Sequence, residues 1–480
     1  MPVVCRHGFT VKPRSIDMNS ATYSELLRGN KNFRRLWTGQ LISELGTWFS
    51  FIAELGLVRM FSGSPLATTG LLLSRMLPFL LVAPFAGVFV DRRSRKYILI
   101  ASDLLRAAVA LVYLAAGYFE SLWLVFVCAA IESSLTTFFE AAKNAAVPNI
   151  VGPREMLTAN VMMLSTRFLQ FTVGAALGGL TAAYFGYNAA FIVNSLSFVL
   201  SAIFIAPVPG EAMRRKAETR ASAQAAAAAA EPVSAGSIEI EPSSIAQPHR
   251  EQAGDEQLPI EQSQAHFLKD LREGLAYIWQ TPFVRGVILV NIGWATGGGM
   301  NNLLYDQLGG HTFVGGEGDR GDWGVATLFT AVGAGLFIGL SLARRAGAWA
   351  ADERRAGQFI GWSLIAHGLF FSLAGLMPSL ALMAFFLATS RLIIGMEFGV
   401  QETMVMRVLP DDYRGRVFTT DRALELAMTT ISMLIGGWML TRYSPRVMMV
   451  ASGLLSASPG LIWLIALRLK RFSVPARALR

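Results

Sequence analysis

Charged side chains stand inside long apolar runs of this sequence, and five have types and positions suited to moving a proton or holding a ligand: Glu54, Arg75, Glu132, Arg391 and Glu397. A charge in the middle of a membrane span costs at least about 2.5–3.5 kcal/mol on insertion scales, so each needs a partner or a task. At about 1.5 Å of rise per residue, Arg75 lies roughly 22 Å and Glu54 roughly 27 Å from the inner ends of their spans. The two can therefore meet across the first hairpin, either as a structural ion pair or as a working one. Glu132 has no opposite charge within one helical turn. A lone carboxyl in low dielectric can take up and release a proton near neutral pH, which is the property proton coupling requires. Asp103 with Arg106, and Arg422 with Glu425, stand three apart on one helical face and read as local structural pairs, with Asp421 four residues before Glu425. Glu140 and Glu402 occupy matching inner ends of two spans, as gate residues or as solvated helix ends.

The elements that carry these residues follow from composition. Of 480 residues, 53% are hydrophobic and only 16% charged, against about a quarter charged in a soluble globular chain. Twelve apolar runs are long enough to cross a hydrocarbon core. They lie near 35–60, 66–90, 97–118, 121–142, 157–184, 187–207, 283–305, 323–343, 357–377, 380–406, 417–441 and 446–468. Every backbone polar group must be satisfied within lipid, and the runs are too long for barrel strands, so the expected fold class is an all-α membrane protein. The first thirty residues are mixed and polar, which predicts no cleaved signal peptide. Cys5 and Cys128, one in the leader and one in a span, predict no disulfide.

Charge orients the chain. With the N-terminus inside, 33 of the 42 Lys and Arg fall on the inner side, three (Arg320, Arg442 and Arg446) on the outer side, and the rest in spans. This asymmetry predicts a multi-pass protein of the inner or plasma membrane with both termini cytoplasmic. The net charge of +9 belongs to separate inner loops, so no nucleic acid partner is expected. Five domains follow: a cytoplasmic leader 1–32, a six-helix bundle 33–207, a linker 208–266, an amphipathic helix with a second six-helix bundle 267–470, and a tail 471–480. The linker is rich in Ala, Ser, Pro, Gln and Glu and cannot bury enough apolar area to order itself. After it, Phe267, Leu268, Leu271, Leu275 and Ile278 recur at helical spacing, as in a helix lying on the inner leaflet.

The two bundles repeat. Glu140 precedes Pro148 as Glu402 precedes Pro410, and Gly178, Gly179 and the turn at Gly186 recur as Gly436, Gly437 and Ser444, 258 residues on. Two halves in one orientation make a parallel repeat about the membrane normal. Between spans two and three, GVFVDRRSRK (Gly87 to Lys96) sets Asp91 among four basic residues, and GLSLARR (Gly339 to Arg345) echoes its opening.

With six plus six helices, a central linker and this G-x-x-x-D-R-x-x-R-K loop, the chain resembles the major facilitator superfamily. It departs from the usual pattern at Ser94, where that family has Gly. The stretches NKNFRRLWTGQLISELGTWFS, SRMLP, SDLLRA, AAKNAAVPNIVGPREMLTAN and LPDDYRGRVF resemble its drug:proton antiporter-3 class, which includes macrolide-efflux proteins and the enterobactin exporter. The resemblance implies twelve transmembrane helices in two parallel six-helix halves. It makes Gly87, Asp91, Arg92 and Arg95 a conformational latch, and it aims Glu132, Arg391 and Glu397 at a central cavity as proton or substrate residues. Topology alone needs Arg and Lys but has no use for Asp91, which favours the latch.

The function implied is secondary active export of a small amphipathic or cationic molecule by alternating access and proton antiport, by a monomer in the lipid bilayer. The alternatives are a siderophore or lysophospholipid carrier of the same fold, and a non-transporting sensor or scaffold. No enzyme is expected. No Walker loop is present, so the energy source is the proton gradient and no cofactor is expected. His7, His249, His266, His311 and His367 are scattered without metal-ligand spacing, so no metal site is predicted. The acidic stretch DQLGGHTFVGGEGDRGDW, Asp306 to Trp323, reads as a flexible, solvated outer loop.

Overall fold

Polar caps set where helices begin. Ser64, Ser121, Ser379 and Ser444 each accept a backbone N–H at a helix N-terminus, and Pro65 and Pro445 occupy the first helical position behind two of them. A proline there costs nothing, because its missing N–H has no intrahelical partner to lose. The Ser121 and Ser379 caps are 258 residues apart, the same offset as the sequence repeat.

The computed structural model describes residues 22–152, 154–214, 272–314, 321–350 and 353–470. Most of the expected leader, nearly all of the 208–266 linker, the start of the amphipathic helix at 267 and the tail 471–480 lie outside the described residues, as does Cys5. The first half comprises α1 (Tyr23–Gly29), α2 (Lys31–Phe61), α3 (Pro65–Arg92), α4 (Arg95–Tyr118), α5 (Leu122–Ile150) and α6 (Met156–Ile205). The second comprises α7 (Arg272–Gln280), α8 (Pro282–Gly298), α9 (Asn301–Gln307), α10 (Asp322–Trp349), α11 (Glu353–Leu376), α12 (Leu380–Val408), α13 (Asp411–Met439) and α14 (Pro445–Arg468).

Nine helices among the described residues are long and apolar enough to cross a membrane, or ten if α7 and the segment to Thr312, bent by 113°, form one span. The bend turns α7 away from α8, as an amphipathic surface helix requires. At 50 residues α6 is about 75 Å long, more than twice the hydrocarbon thickness. It is broken at Gly186, whose φ of 78° and ψ of 171° lie in a region open essentially only to glycine. The α13 helix is long enough, at 29 residues, but its first half is strongly charged. With α6 divided and α13 included, the architecture is consistent with the twelve expected spans.

One expectation is overturned. The acidic outer stretch does not begin as a solvated loop: helix continues through α9 and a wide turn to Thr312, and Asp306 and Asp322 are 0% and 2% exposed. Both carboxylates meet a buried arginine, which offsets the cost of taking them out of water.

The halves meet where α10 packs on α6 and α13 on α3. One apolar cluster crosses between them, joining Phe51, Leu71 and Ala175 to Met300, Leu328 and Phe329. Trp48 stacks on Phe171 at 4.3 Å, and the Phe51 and Phe329 rings meet edge-on at 5.3 Å. Toward the Asp91 end the core divides. One cluster, including Phe33, Leu99 and Phe139, belongs wholly to the first half, and another, including Phe283, Ile360 and Met404, wholly to the second.

Candidate functional site

The α2 helix buries an unbroken run from Ser50 to Val58, and Glu54 lies within it. Arg75 of α3 reaches it as the hairpin spacing predicts, with Nη1 donating to Glu54 Oε1 at 2.8 Å and Oε2 at 2.7 Å. The guanidinium lies 5.2 Å from the Phe51 ring centroid, a cation–π distance. The hydroxyl of Ser133 donates to the Arg75 carbonyl and ties α5 to α3. One residue before Ser133, Glu132 is 2% exposed, and neither of its carboxylate oxygens has a hydrogen-bond partner. Glu54, Arg75 and Glu132 thus form one cluster.

Arg391 and Glu397 are both buried on α12 but do not pair. The Arg391 Nη2 donates to the Tyr305 hydroxyl, and the guanidinium lies 5.2 Å from the Phe371 centroid. Glu397 accepts from the Gln401 side chain at 3.0 Å. The local pairs expected at three-residue spacing form: Arg106 with Asp103, and Arg422 with Glu425 at 2.8 Å. Glu140 pairs with Lys143, also three apart.

The latch residues share one junction between α3 and α4. Asp91 is exposed and makes no hydrogen bond or ion pair with any described residue. Arg95 donates to the carbonyls of Ala145 at 3.1 Å and Met213 at 2.7 Å, within its own half. A Cβ at Gly87 would meet nothing within 4 Å.

The cluster that joins the two halves is one sequence reasoning missed. Arg59, at the last turn of α2, donates to both Asp306 of α9 and Asp322 at the start of α10. Thr68 of α3 donates to the second Asp306 oxygen at 2.9 Å, and Tyr187 to Asp322 at 3.2 Å. Arg59 is 5% exposed. A signal existed in the sequence, because Arg59 carries the same insertion penalty as Arg75, and the outer-side acidic residues of the second half all lie in the stretch read as a solvated loop. Among the described residues no group of three or more His, Cys, Asp or Glu converges to hold a metal ion.

Residues 36–421 match the family described as the Major Facilitator Superfamily, and the chain belongs to that family. Among its relatives, the uncharacterized MFS-type transporter YfiS of Bacillus subtilis (strain 168) is 30% identical over 195 residues, 40% of this chain and 46% of the relative. Macrolide efflux protein A of Streptococcus pyogenes is 28% identical over 178 residues, 37% of this chain and 44% of the relative. The aligned part of the chain thus spans less than half the length of these relatives. A crystal structure of a mutant of the nucleoside transporter NupG superposes with a TM-score of 0.62 over 90% of this chain and 99% of that one, at 11% identity, a likeness of fold alone.

Proposed function

We propose that this chain is a secondary transporter that exports a small amphipathic or cationic molecule across the cytoplasmic membrane, driven by proton entry without a bound cofactor. Efflux by a relative such as the macrolide protein supports the direction. In this reading the chain acts as a monomer with both termini cytoplasmic. The Arg59 end faces outward and closed, and the Asp91 end faces the cytoplasm and open.

Glu132 is the observation that carries the reading. A buried carboxylate with no donor on either oxygen is costly to enclose as an anion. The change between states therefore proceeds with it neutralised, by a proton or by a cationic substrate. Only a loaded transporter then crosses between states. Protons arriving from outside and substrate arriving from inside take turns on one carboxyl, which is antiport. Glu54 and Arg75, already paired, hold the neighbouring charge balance fixed while Glu132 changes.

Proton movement in proteoliposomes with an internal pH-sensitive dye tests this, on adding macrolides, lipophilic cations and catecholate siderophores. The expected outcome is a substrate-dependent proton flux that Glu132→Gln removes. A flux unchanged by that substitution would assign coupling to another group.

A further inference from the structure

At the Asp91 end of the second half, α10 and α12 enclose a cavity of about 490 Å³. Ala343, Arg344, Gly347, Gly399, Thr403 and Arg407 line it, with no acid among the described residues of its wall. We propose that it binds a phosphate-bearing anion, the headgroup of an acidic phospholipid of the inner leaflet. The occupant is a resident lipid and not the exported molecule, and its assignment rests only on the cytoplasmic orientation of the Asp91 end.

The internal repeat shows which charge is missing here. Gly339 to Arg345 repeats Gly87 to Arg93, so Arg344 and Arg345 stand where the first half has Arg92 and Arg93, and Ala343 stands where it has Asp91. The second copy keeps the guanidiniums and loses the carboxylate, and Ala343 is part of the cavity wall. Across from it Arg407, in the last turn of α12, adds another guanidinium. Arg344 is exposed and makes no hydrogen bond or ion pair with any described residue. The two acids of α12 are turned elsewhere, Glu397 to Gln401 and Glu402 into the space that α12 shares with α8 and α13. The sole acid of α10, Asp322, lies at its other end.

The facing helix of the first half does not supply the charge either. Where the halves touch, α10 and α6 run antiparallel, with Ala326 against Gly179 and Gly333 against Thr172. Arg344 lies about five turns beyond Ala326 on the same face of α10, and the same register carries it to Val161. The α6 helix has no acidic residue from Met156 to Thr172, and Leu157 and Val161 are 65% and 40% exposed. A guanidinium on that line takes its counter-charge from outside the chain.

Depth and chemistry select the ligand. Arg344 stands one turn and a half before Trp349, which ends α10 and is 55% exposed, as interfacial tryptophans are. The cavity therefore sits at headgroup level. The Thr403 hydroxyl donates to the Gly399 carbonyl at 2.8 Å, so the guanidiniums are the donors that remain for an anion. Planar guanidiniums match phosphate oxygens with parallel hydrogen bonds. A zwitterionic headgroup would bring an ammonium to walls that offer no carboxylate, so a headgroup of net negative charge fits better. Basic pockets between spanning helices on the cytoplasmic side hold acidic headgroups on the same grounds.

Equilibrium binding of radiolabelled phosphatidylglycerol to delipidated full-length protein in detergent micelles tests the site with neither gradient nor cargo present. Failure of the site and failure of the export reading are thereby told apart. The expected result is saturable binding, displaced by unlabelled phosphatidylglycerol about tenfold or more better than by phosphatidylcholine. The Arg344→Gln, Arg407→Gln double substitution should weaken it about tenfold or more, and so should Ala343→Asp, which restores the lost carboxylate and leaves both guanidiniums in place. Removing equal charge elsewhere, at the exposed Arg28→Gln and Arg214→Gln, should weaken it by about twofold at most. Indifference to millimolar inorganic phosphate would support the lipid, whereas displacement by it would assign the same phosphate chemistry to a soluble anion and overturn the lipid source. Absence of saturable binding, parity between the two lipids, or an equal loss in the Arg28 and Arg214 control, in proteins of native melting temperature, would each overturn the proposal.

Discussion

The two ends of this molecule are built from the same residue types and treated in opposite ways. At one end Arg59 and two aspartates from the other half are buried together. At the other Asp91, Arg92 and Arg93 are exposed. The glycines record the same contrast. A Cβ at Gly309, Gly321 or Gly324 would overlap backbone of the facing segment, whereas one at Gly87, Gly152 or Gly415 would meet nothing within 4 Å. Along α3, Thr68, Thr69, Leu71 and Leu72 are buried at one end, while at the other Ala86 and Val90 are buried beside Leu81, Phe85 and Phe89, which are between 47% and 64% exposed. The apolar core is shared at the closed end and split at the open one. A charge pair enclosed at an interface can thus act as a bolt, whereas an exposed carboxylate such as Asp91 remains available for a contact made in another state.

Removing the bolt should have the largest effect. Arg59→Ala strands Asp306 and Asp322 in a dry interface, and breaking a buried pair in this way costs about 3–5 kcal/mol. With spin labels at Glu120 and Arg442, both exposed at the closed end, in protein lacking Cys5 and Cys128, the distance distribution is expected to shift longer. An unchanged distribution in a folded variant would mean that the apolar cluster around Phe329 holds the closed end without the charges.

A smaller loss is expected from Gly321→Ala. Gly321 caps α10 with φ of 73°, and a Cβ there would fall 2.6 Å from the Gly310 Cα. Left-handed strain and the close approach together are expected to cost about 1–3 kcal/mol, read as a lower melting temperature. Gly186→Ala, strained in φ but facing open space, separates the two contributions.

Much of this was legible in the sequence because lipid enforces simple rules. The helical spans, the break at Gly186, the Arg75–Glu54 pair and the local Asp103–Arg106 pair all follow from apolar length and helical spacing. The Arg59 cluster did not, because its partners stand 247 and 263 residues away and only tertiary packing brings them together. Composition also misled: a stretch with glycines and acids looks solvated, yet here the glycines permit close backbone approach and the acids neutralise a buried arginine. Glu132 stands out in either view, since a charge with no local partner is conspicuous in sequence and in space alike.

The smallest structural effect, and the sharpest use of the comparison, belongs to Asp91→Asn. Because Asp91 is exposed and makes no hydrogen bond or ion pair among the described residues, its replacement should leave the melting temperature and the spin-label distances of this state unchanged. If Asp91 pairs with arginines or a helix N-terminus only when that end closes, the same substitution removes the contact that stabilises the other state. Turnover in the proteoliposome assay should then fall to background while binding of a lipophilic cation persists. Loss of both folding and binding would instead make the carboxylate part of the present packing. Normal turnover would leave the basic loop with no role beyond orienting the chain.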